Sequence, residues 1–245
     1  MYHFFVKQEQ VGEDTITVTG PDVNHIKNVL RMRQGEKVLI SDGMERDYFC
    51  EISSITSECV TASVISREES GTELSVRVTL FQGLPKGDKM ELIIQKAVEL
   101  GVWRIVPVET RRTVVKLDSK KEEAKVRRWN AVSESAAKQS KRMIIPEVSG
   151  VMTWKEALAL SKEMDKTIIP FEHAVGMADT KAYLAGIEPG MSVGIFIGPE
   201  GGFEDSEIEM AEACGVKPVT LGRRILRTET AGLAILSVLM FQMES

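Results

Sequence analysis

The sequence is poor in the residues that build metal sites and disulfide frameworks: of 245 residues, 3 are cysteine and 3 are histidine. Cys50, Cys59 and Cys214 stand far apart in apolar or small-residue settings, with neither CxxC spacing nor histidine neighbours. That argues against a zinc site and a disulfide scaffold, and the expectation is of reduced, structural thiols in a cytoplasmic protein without metal. Long apolar runs are also lacking, since none approaches the roughly 20 residues that a membrane-crossing helix needs. The opening MYHFFVKQEQVGEDT has no basic stretch followed by an apolar core. Neither membrane insertion nor export is therefore expected.

What is present suits a globular chain. Hydrophobic residues make up 43% and charged residues 27%, enough for a substantial core in one large domain or two modest ones. A net charge of −5 would argue against a nucleic-acid partner if it were spread evenly. It is not: residues 1–72 hold 7 Lys/Arg against 12 Asp/Glu, whereas residues 86–142 hold 15 against 8. A basic surface is therefore available inside an acidic protein, although Lys/Arg-rich helices also occur simply as solvated faces.

Residues 1–72 alternate apolar and polar residues in the short runs TITVTG, EKVLISDG, YFCEISSIT and CVTASVIS, the pattern of a small antiparallel β-barrel. A helical stretch, PDVNHIKNVLRM, interrupts them, with Val23, Ile26, Val29 and Leu30 on one face. The polar REESGTE (67–73) reads as a linker. Beyond it, strand-like runs (VRVTLFQG, WRIVPVE, TIIPF, SVGIFIG, VKPVTLG) alternate with helices expected at 88–100, 119–138, 153–164, 205–214 and 228–241. Strand then helix, repeated, predicts an α/β domain over 73–245 with a mainly parallel sheet. The last helix, with AGLAILSVLMF apolar on every side, must be buried, either against another subunit or in the core of its own domain.

Two loops invite a ligand. IGPEGGF (197–203) follows an apolar strand and precedes a helix, so glycines could bring backbone N–H groups against a bound molecule. Its spacing is neither GxGxxG nor GxxxxGK[ST], which leaves a dinucleotide or nucleoside triphosphate unsupported, and an ordinary tight turn explains it equally well. LGRRILRTETA (221–231) again joins a strand to a helix and carries arginines beside Glu229. Arg227 or a helix N-terminus could meet a carboxylate there, while Arg223 and Arg224 could equally be solvated and Thr228 a simple N-cap.

These two loops resemble those of the RsmE family of ribosomal RNA uracil-N3 methyltransferases, of the SPOUT class. The resemblance extends to KGDKMELIIQKAVELGV (86–102), ETRRTVVK (109–116), RWNAVSESAAKQSKRMIIPEV (128–148) and HIKNVLRMRQGEKV (25–38), in family order over most of the chain. It implies a PUA-like, RNA-binding β-barrel at 1–72 and a SPOUT domain at 73–245 whose C-terminal chain forms a trefoil knot. Nothing in periodicity shows a knot.

The resemblance further implies S-adenosylmethionine as cofactor, held by Gly198, Pro199, Glu200, Gly201 and Gly202 and by Leu221, Gly222, Ile225, Leu226, Arg227, Thr230 and Ala231. A third loop is expected at Phe171 and Glu172. One departure is Glu204, where the family tends to open the next helix with Ser, leaving Asp205 or Ser206 to act as N-cap. The substrate implied is 16S ribosomal RNA or the small ribosomal subunit, and the implied assembly is a homodimer.

Methylation at uracil N3 needs a weakly acidic proton to leave and the resulting charge to be tolerated. Glu200 or Glu229 is the candidate base and Arg227 the candidate donor. The base must be unpaired, because N3 lies on its pairing face. Phosphates are expected at Lys86, Arg111, Arg112, Lys138, Lys141 and Arg142, with Arg31 and Arg33 beside His25 extending the footprint; His25 could equally be a packing residue. Thr228-Glu229-Thr230 stands where related ribose methyltransferases carry Ser-Leu-Asn, which favours a base as target. Gln95, Lys96 and Glu99 could line the site or merely stabilise a surface helix. The rival expectations are a SPOUT methyltransferase for another RNA position and a non-catalytic RNA-binding assembly factor.

Overall fold

The computed structural model describes residues 1–44, 46–68, 71–172, 174 and 176–244. Glu69 and Ser70, within the expected linker, lie outside the described residues. The chain forms two compact units, one of Met1–Glu73 with Ala137–Ile145 and one of Leu74–Ala136 with Pro146–Ser245.

In the first unit, β1 (Tyr2–Phe5), β2 (Thr15–Thr19), β3 (Lys37–Ser41), β4 (Asp47–Ile55) and β5 (Cys59–Glu68) form one sheet in the order β1-β3-β4-β5-β2. All its pairings are antiparallel except β1 with β3. Strand β1 was not expected from the sequence, because four residues with only His3 and Phe4 buried give no run of alternation. Alternate residues of the strands, such as Ile16 and Val18 or Val38 and Ile40, bury into one core with Ile26 and Ile52. The expected helix divides into α1 (Pro21–Asn24) and one π turn, His25–Val29, closed by Leu30 N–H to the His25 carbonyl at 2.9 Å. The wider turn carries Val29 off the buried face, and it is 62% exposed rather than packed beside Ile26.

Residues 137–145 belong to this unit because buried charge ties them there. Glu73 accepts from Arg142 Nε at 2.8 and 2.9 Å, from its Nη2, and from Met143 N–H at 2.9 Å. Lys138 reaches Asp22 at 3.1 Å.

The second unit carries β6 (Arg77–Gly83), α2 (Lys89–Glu99), β7 (Arg104–Glu109), α3 (Ser119–Ser140, whose last turn joins the first unit) and the short β8 (Glu147–Val148) and β9 (Met152–Thr153). There follow α4 (Trp154–Ser161), β10 (Lys166–Pro170), α5 (Met177–Ala185), β11 (Ser192–Ile197), α6 (Asp205–Ala213), β12 (Lys217–Val219) and α7 (Thr228–Met243). The sheet runs β12-β10-β11-β6-β7-β8, with β9 also on β7, and every pairing is parallel. Central strands β6 and β11 are almost wholly buried, as strands covered on both faces must be. Phe81 and Phe196 stack at 4.3 Å across them.

The expected helices form, with ends displaced by a few residues. Helix α5 was missed because its sequence buries only Thr180 and Leu184, too few for a helical stripe. Helix α6 is capped by Glu204 itself, whose N–H donates to Glu207 Oε2 at 2.9 Å, so Asp205 and Ser206 did not take the cap. Helix α7 buries Gly232, Ile235, Leu236 and Leu239 while Val238 and Phe241 stand 49% and 85% exposed. It is a core helix on one face and an uncovered apolar surface on another. Among the described residues no helix is long and apolar enough to cross a membrane.

Candidate functional site

Strands β12, β10 and β11 are neighbours and parallel, so the loops leaving their C-terminal ends emerge on one edge of the sheet. That edge is where open α/β sheets bind ligands. The three loops enclose a cleft of about 570 Å³. Its wall includes Phe171 and Glu172 after β10, Gly198, Pro199, Glu200, Gly201 and Gly202 after β11, and Leu221, Gly222, Ile225, Leu226, Arg227 and Ala231 around the start of α7. Thr230 is exposed and not part of the wall. Lys89, Arg112, Arg223, Arg224 and Thr228 complete much of the lining.

Close backbone approach explains the glycines. A Cβ on Gly83, at the end of β6, would lie 2.6 Å from Pro199 Cδ and 2.7 Å from its nitrogen, so only glycine lets the 198–202 loop cross there. Gly202 has φ +68 and Gly222 φ +107, left-handed conformations that side chains resist. The loop is fastened by a buried relay in which Gln82 Nε2 donates to Thr228 Oγ1 at 2.9 Å and Thr228 donates to the Gly198 carbonyl at 2.6 Å. Thr228 thereby locks the start of α7 to the glycine loop; it is the first residue of the helix and not its N-cap, a position that Arg227 takes.

The wall is rich in positive charge: Lys89, Arg112, Arg223, Arg224 and Arg227 against Glu172 and Glu200. Arg112 Nη1 donates to the Gly201 carbonyl at 2.8 Å. Lys89 Nζ lies 2.9 Å from Glu200 Oε1 and 3.6 Å from Glu229 Oε2. Burial pushes the Glu200 carboxyl up, but hydrogen bonds from Lys89 and from the backbone N–H groups of Glu200 and Lys86, with the Lys89 charge, outweigh it and leave the group below its ordinary range. The same Glu200 contact raises Lys89, helped by Glu229. Glu229 is not on the cleft wall; its Oε2 is buried without a hydrogen-bond partner, and Arg227 stands 4.0 Å away at its other oxygen.

The residues expected to hold phosphates are not equally placed to do so. His25, Arg31, Arg33 and Lys141 are exposed in the first unit, His25 with its ring edge-on to Phe4 at 6.5 Å. In the second unit Lys86 and Arg111 are exposed, with Arg111 paired to Glu204 at 3.2 Å. Lys138 is half-buried on Asp22. Arg142 is the correction: at 2% exposure and bound through two of its nitrogens to Glu73, it holds the first unit together and cannot reach a phosphate. Gln95, Lys96 and Glu99 are off the cleft wall, and Lys96 pairs with Glu99 at 2.8 Å on the helix surface. All three cysteines are free, and burial lifts the Cys50 thiol to about 11, a poor nucleophile. Among the described residues no group of three His, Cys, Asp or Glu could hold a metal ion.

Lys89 and Gln82 were not singled out from the sequence. Gln82 had a signal, being the one large polar side chain in the apolar run VTLFQG. Lys89 had a weaker one, its place just beyond another strand's C-terminal end.

Comparison with known proteins finds an RNA methyltransferase domain model matching residues 72–240 and an RNA methyltransferase PUA domain model matching residues 18–65. Ribosomal RNA small subunit methyltransferase E of Bacillus subtilis is 38% identical over 100% of this chain and 98% of its own. The protein of the same name from Synechocystis sp. is 31% identical, over 100% of this chain and 78% of its own. The crystal structure of a Ribosomal RNA small subunit methyltransferase E from Neisseria gonorrhoeae bound to S-adenosyl methionine superposes with a TM-score of 0.84 at 30% identity, covering 99% of this chain and 98% of that one.

Proposed function

This chain belongs to the ribosomal RNA small subunit methyltransferase E family, and on that footing we propose that it transfers a methyl group from S-adenosylmethionine to N3 of a uridine in 16S ribosomal RNA. The observation that carries the proposal is the cleft itself, where three strand-terminal loops meet around a backbone exposed by glycine. The residues fit the cofactor: Leu221, Ile225, Leu226 and Phe171 offer apolar contact, the loop glycines leave room for close approach, and Arg223, Arg224 and Arg227 can meet a carboxylate. When bound there, the cofactor supplies a methyl group made electrophilic by its sulfonium. The knotted path that the family resemblance implies belongs to the same reading.

The chain's own part is to bind, orient and manage one proton. Glu200, on the wall but held by Lys89 and the Lys86 N–H, is kept as a weakly basic carboxylate. Glu229 acts from behind Lys89 and not as a wall residue. Arg227, 82% exposed at the start of α7, is free to follow an incoming RNA. Exposed Arg31, Arg33, Lys141, Lys86 and Arg111 are the proposed phosphate contacts, on a target uridine presented unpaired. We place the reaction in the cytoplasm, on RNA or the small subunit, and the active form is a homodimer joined through the exposed apolar side of α7.

Mass spectrometry of small-subunit RNA tests the activity. RNA from cells lacking the protein should lose N3-methyluridine, and the purified protein with S-adenosylmethionine should restore it. Unchanged N3-methyluridine, or a methyl group at another atom, overturns the assignment.

A further inference from the structure

Of the five cations on the cleft wall, four are poorly placed to stabilise charge at a fixed point. Arg112 spends a donor on the Gly201 carbonyl, while Arg223, Arg224 and Arg227 are exposed, the last with its carboxylate partner 4.0 Å away. Lys89 differs. It is the first residue of α2, its side chain is 34% exposed, and carboxylates from two other elements hold it, Glu200 of the glycine loop and Glu229 of α7. An ammonium has three donors. Glu200 takes one at 2.9 Å, and Glu229, at 3.6 Å, attracts it beyond hydrogen-bond reach, so donors remain for a ligand in the cleft.

We propose that Lys89 is a catalytic residue of this reaction, donating to a uracil carbonyl oxygen beside N3 and so stabilising the uracil anion, with Glu200 and Glu229 as the positioning residues that hold it. The inference rests on the uridine N3 reading above. The N3–H bond breaks with its electron pair left on the ring, and the proton passes to water. N3 then forms a bond to the methyl carbon as the carbon–sulfur bond breaks, its pair going to sulfur. No carboxylate on the wall has to serve as base, which agrees with the lowered Glu200 and the concealed Glu229. Lys89 is charged through the neutral range as any lysine is, and the Glu200 hydrogen bond raises it further.

The test uses small-subunit RNA from cells lacking the protein and grown with 5-fluorouracil, so that uridine and the more acidic 5-fluorouridine compete at the same position. Mass spectrometry gives the ratio of methylated 5-fluorouridine to methylated uridine for the wild type and for Lys89→Met. The variant should lose about 100-fold in rate on uridine, as when one oxyanion donor is removed. Its product ratio should shift several-fold toward 5-fluorouridine, whose anion needs less help, and Lys89→Arg should bring the ratio back toward wild type. An unchanged ratio with both products reduced equally means that Lys89 only supports the structure, and the proposal falls. Calorimetry with S-adenosylmethionine supplies a readout apart from turnover. Affinity within about twofold of wild type is expected of Lys89→Met, and a large loss would reassign Lys89 to the cofactor. If the wild type methylates neither base at N3, the functional reading itself has failed.

Discussion

Gly201 illustrates what a single residue decides at this cleft. A Cβ there would come 3.1 Å from Arg112 Cβ, and the contact is with a side chain at the surface, not with the core. Gly201→Val should therefore leave the fold intact, displace Arg112 from the Gly201 carbonyl and fill the space left for a ligand. The expected outcome is a weakening of S-adenosylmethionine binding by at least about tenfold in calorimetry, with unchanged circular dichroism and melting temperature. Retained affinity would show that the loop is only a turn. Arg142 teaches the opposite lesson at the same scale. Its neighbours in sequence, Lys138 and Lys141, made it look like part of a basic patch, and nothing in KQSKR distinguishes a solvated arginine from one buried on Glu73. The partner lies 69 residues away, so the pairing was invisible to any local pattern.

Among the elements, α7 does three things through three faces. Its first residue ties Gln82 to the glycine loop, its second braces Lys89, and its C-terminal half leaves Val238 and Phe241 in the open. An exposed phenylalanine and valine one turn apart are poorly suited to solvent and well suited to a two-fold contact. Phe241→Glu should convert a dimer into a monomer in light scattering while the thermal unfolding of each chain still proceeds from a folded state. A wild-type protein that is monomeric at micromolar concentration would remove the proposed interface. The sequence had shown that this helix was apolar all round but left open whether its own domain or a second copy covers it. The fold covers it with α2, β6 and β11 and leaves Val238 and Phe241 exposed.

For the whole molecule, acid is the informative perturbant, because the first unit buries a titratable chain that the cleft does not use. His3, 7% exposed, lies 2.5 Å from Ser41 Oγ, which donates in turn to Asp47. Burial pushes the His3 imidazole down to about 4 from 6.5; the Lys138 backbone carbonyl pulls it back, and the charges of Lys138 and Lys141 push it further down. The unfolded chain takes up this proton near 6.5 and the folded one only near 4. Stability is thus full above 6.5 and declines as pH falls toward about 4, by at most about 3 kcal/mol. Asp47 opposes this at the acid end, since burial raises its carboxyl and Glu68, Glu73 and Asp42 add to the rise against the Ser41 hydrogen bond. Denaturant midpoints should fall between pH 7 and pH 4.5 for the wild type and fall less for His3→Gln; identical slopes for the two would exclude His3 as the cause.

Local pattern alone carried a good deal. Strand-then-helix alternation after residue 73 marked a mainly parallel α/β unit, and two glycine-bearing strand-to-helix loops marked where a ligand could sit. Those features are short-range, because period, turn residues and caps are set by neighbours within one or two turns. Only the tertiary structure decided that the chain returns at 137–145 to complete the first unit, that β12, β10 and β11 lie side by side so that three loops share one cleft, and that Lys89 stands between Glu200 and Glu229. Each of these depends on residues dozens to more than a hundred positions apart meeting in space, and that meeting is determined by which buried surfaces and charges satisfy one another, not by what any segment prefers by itself.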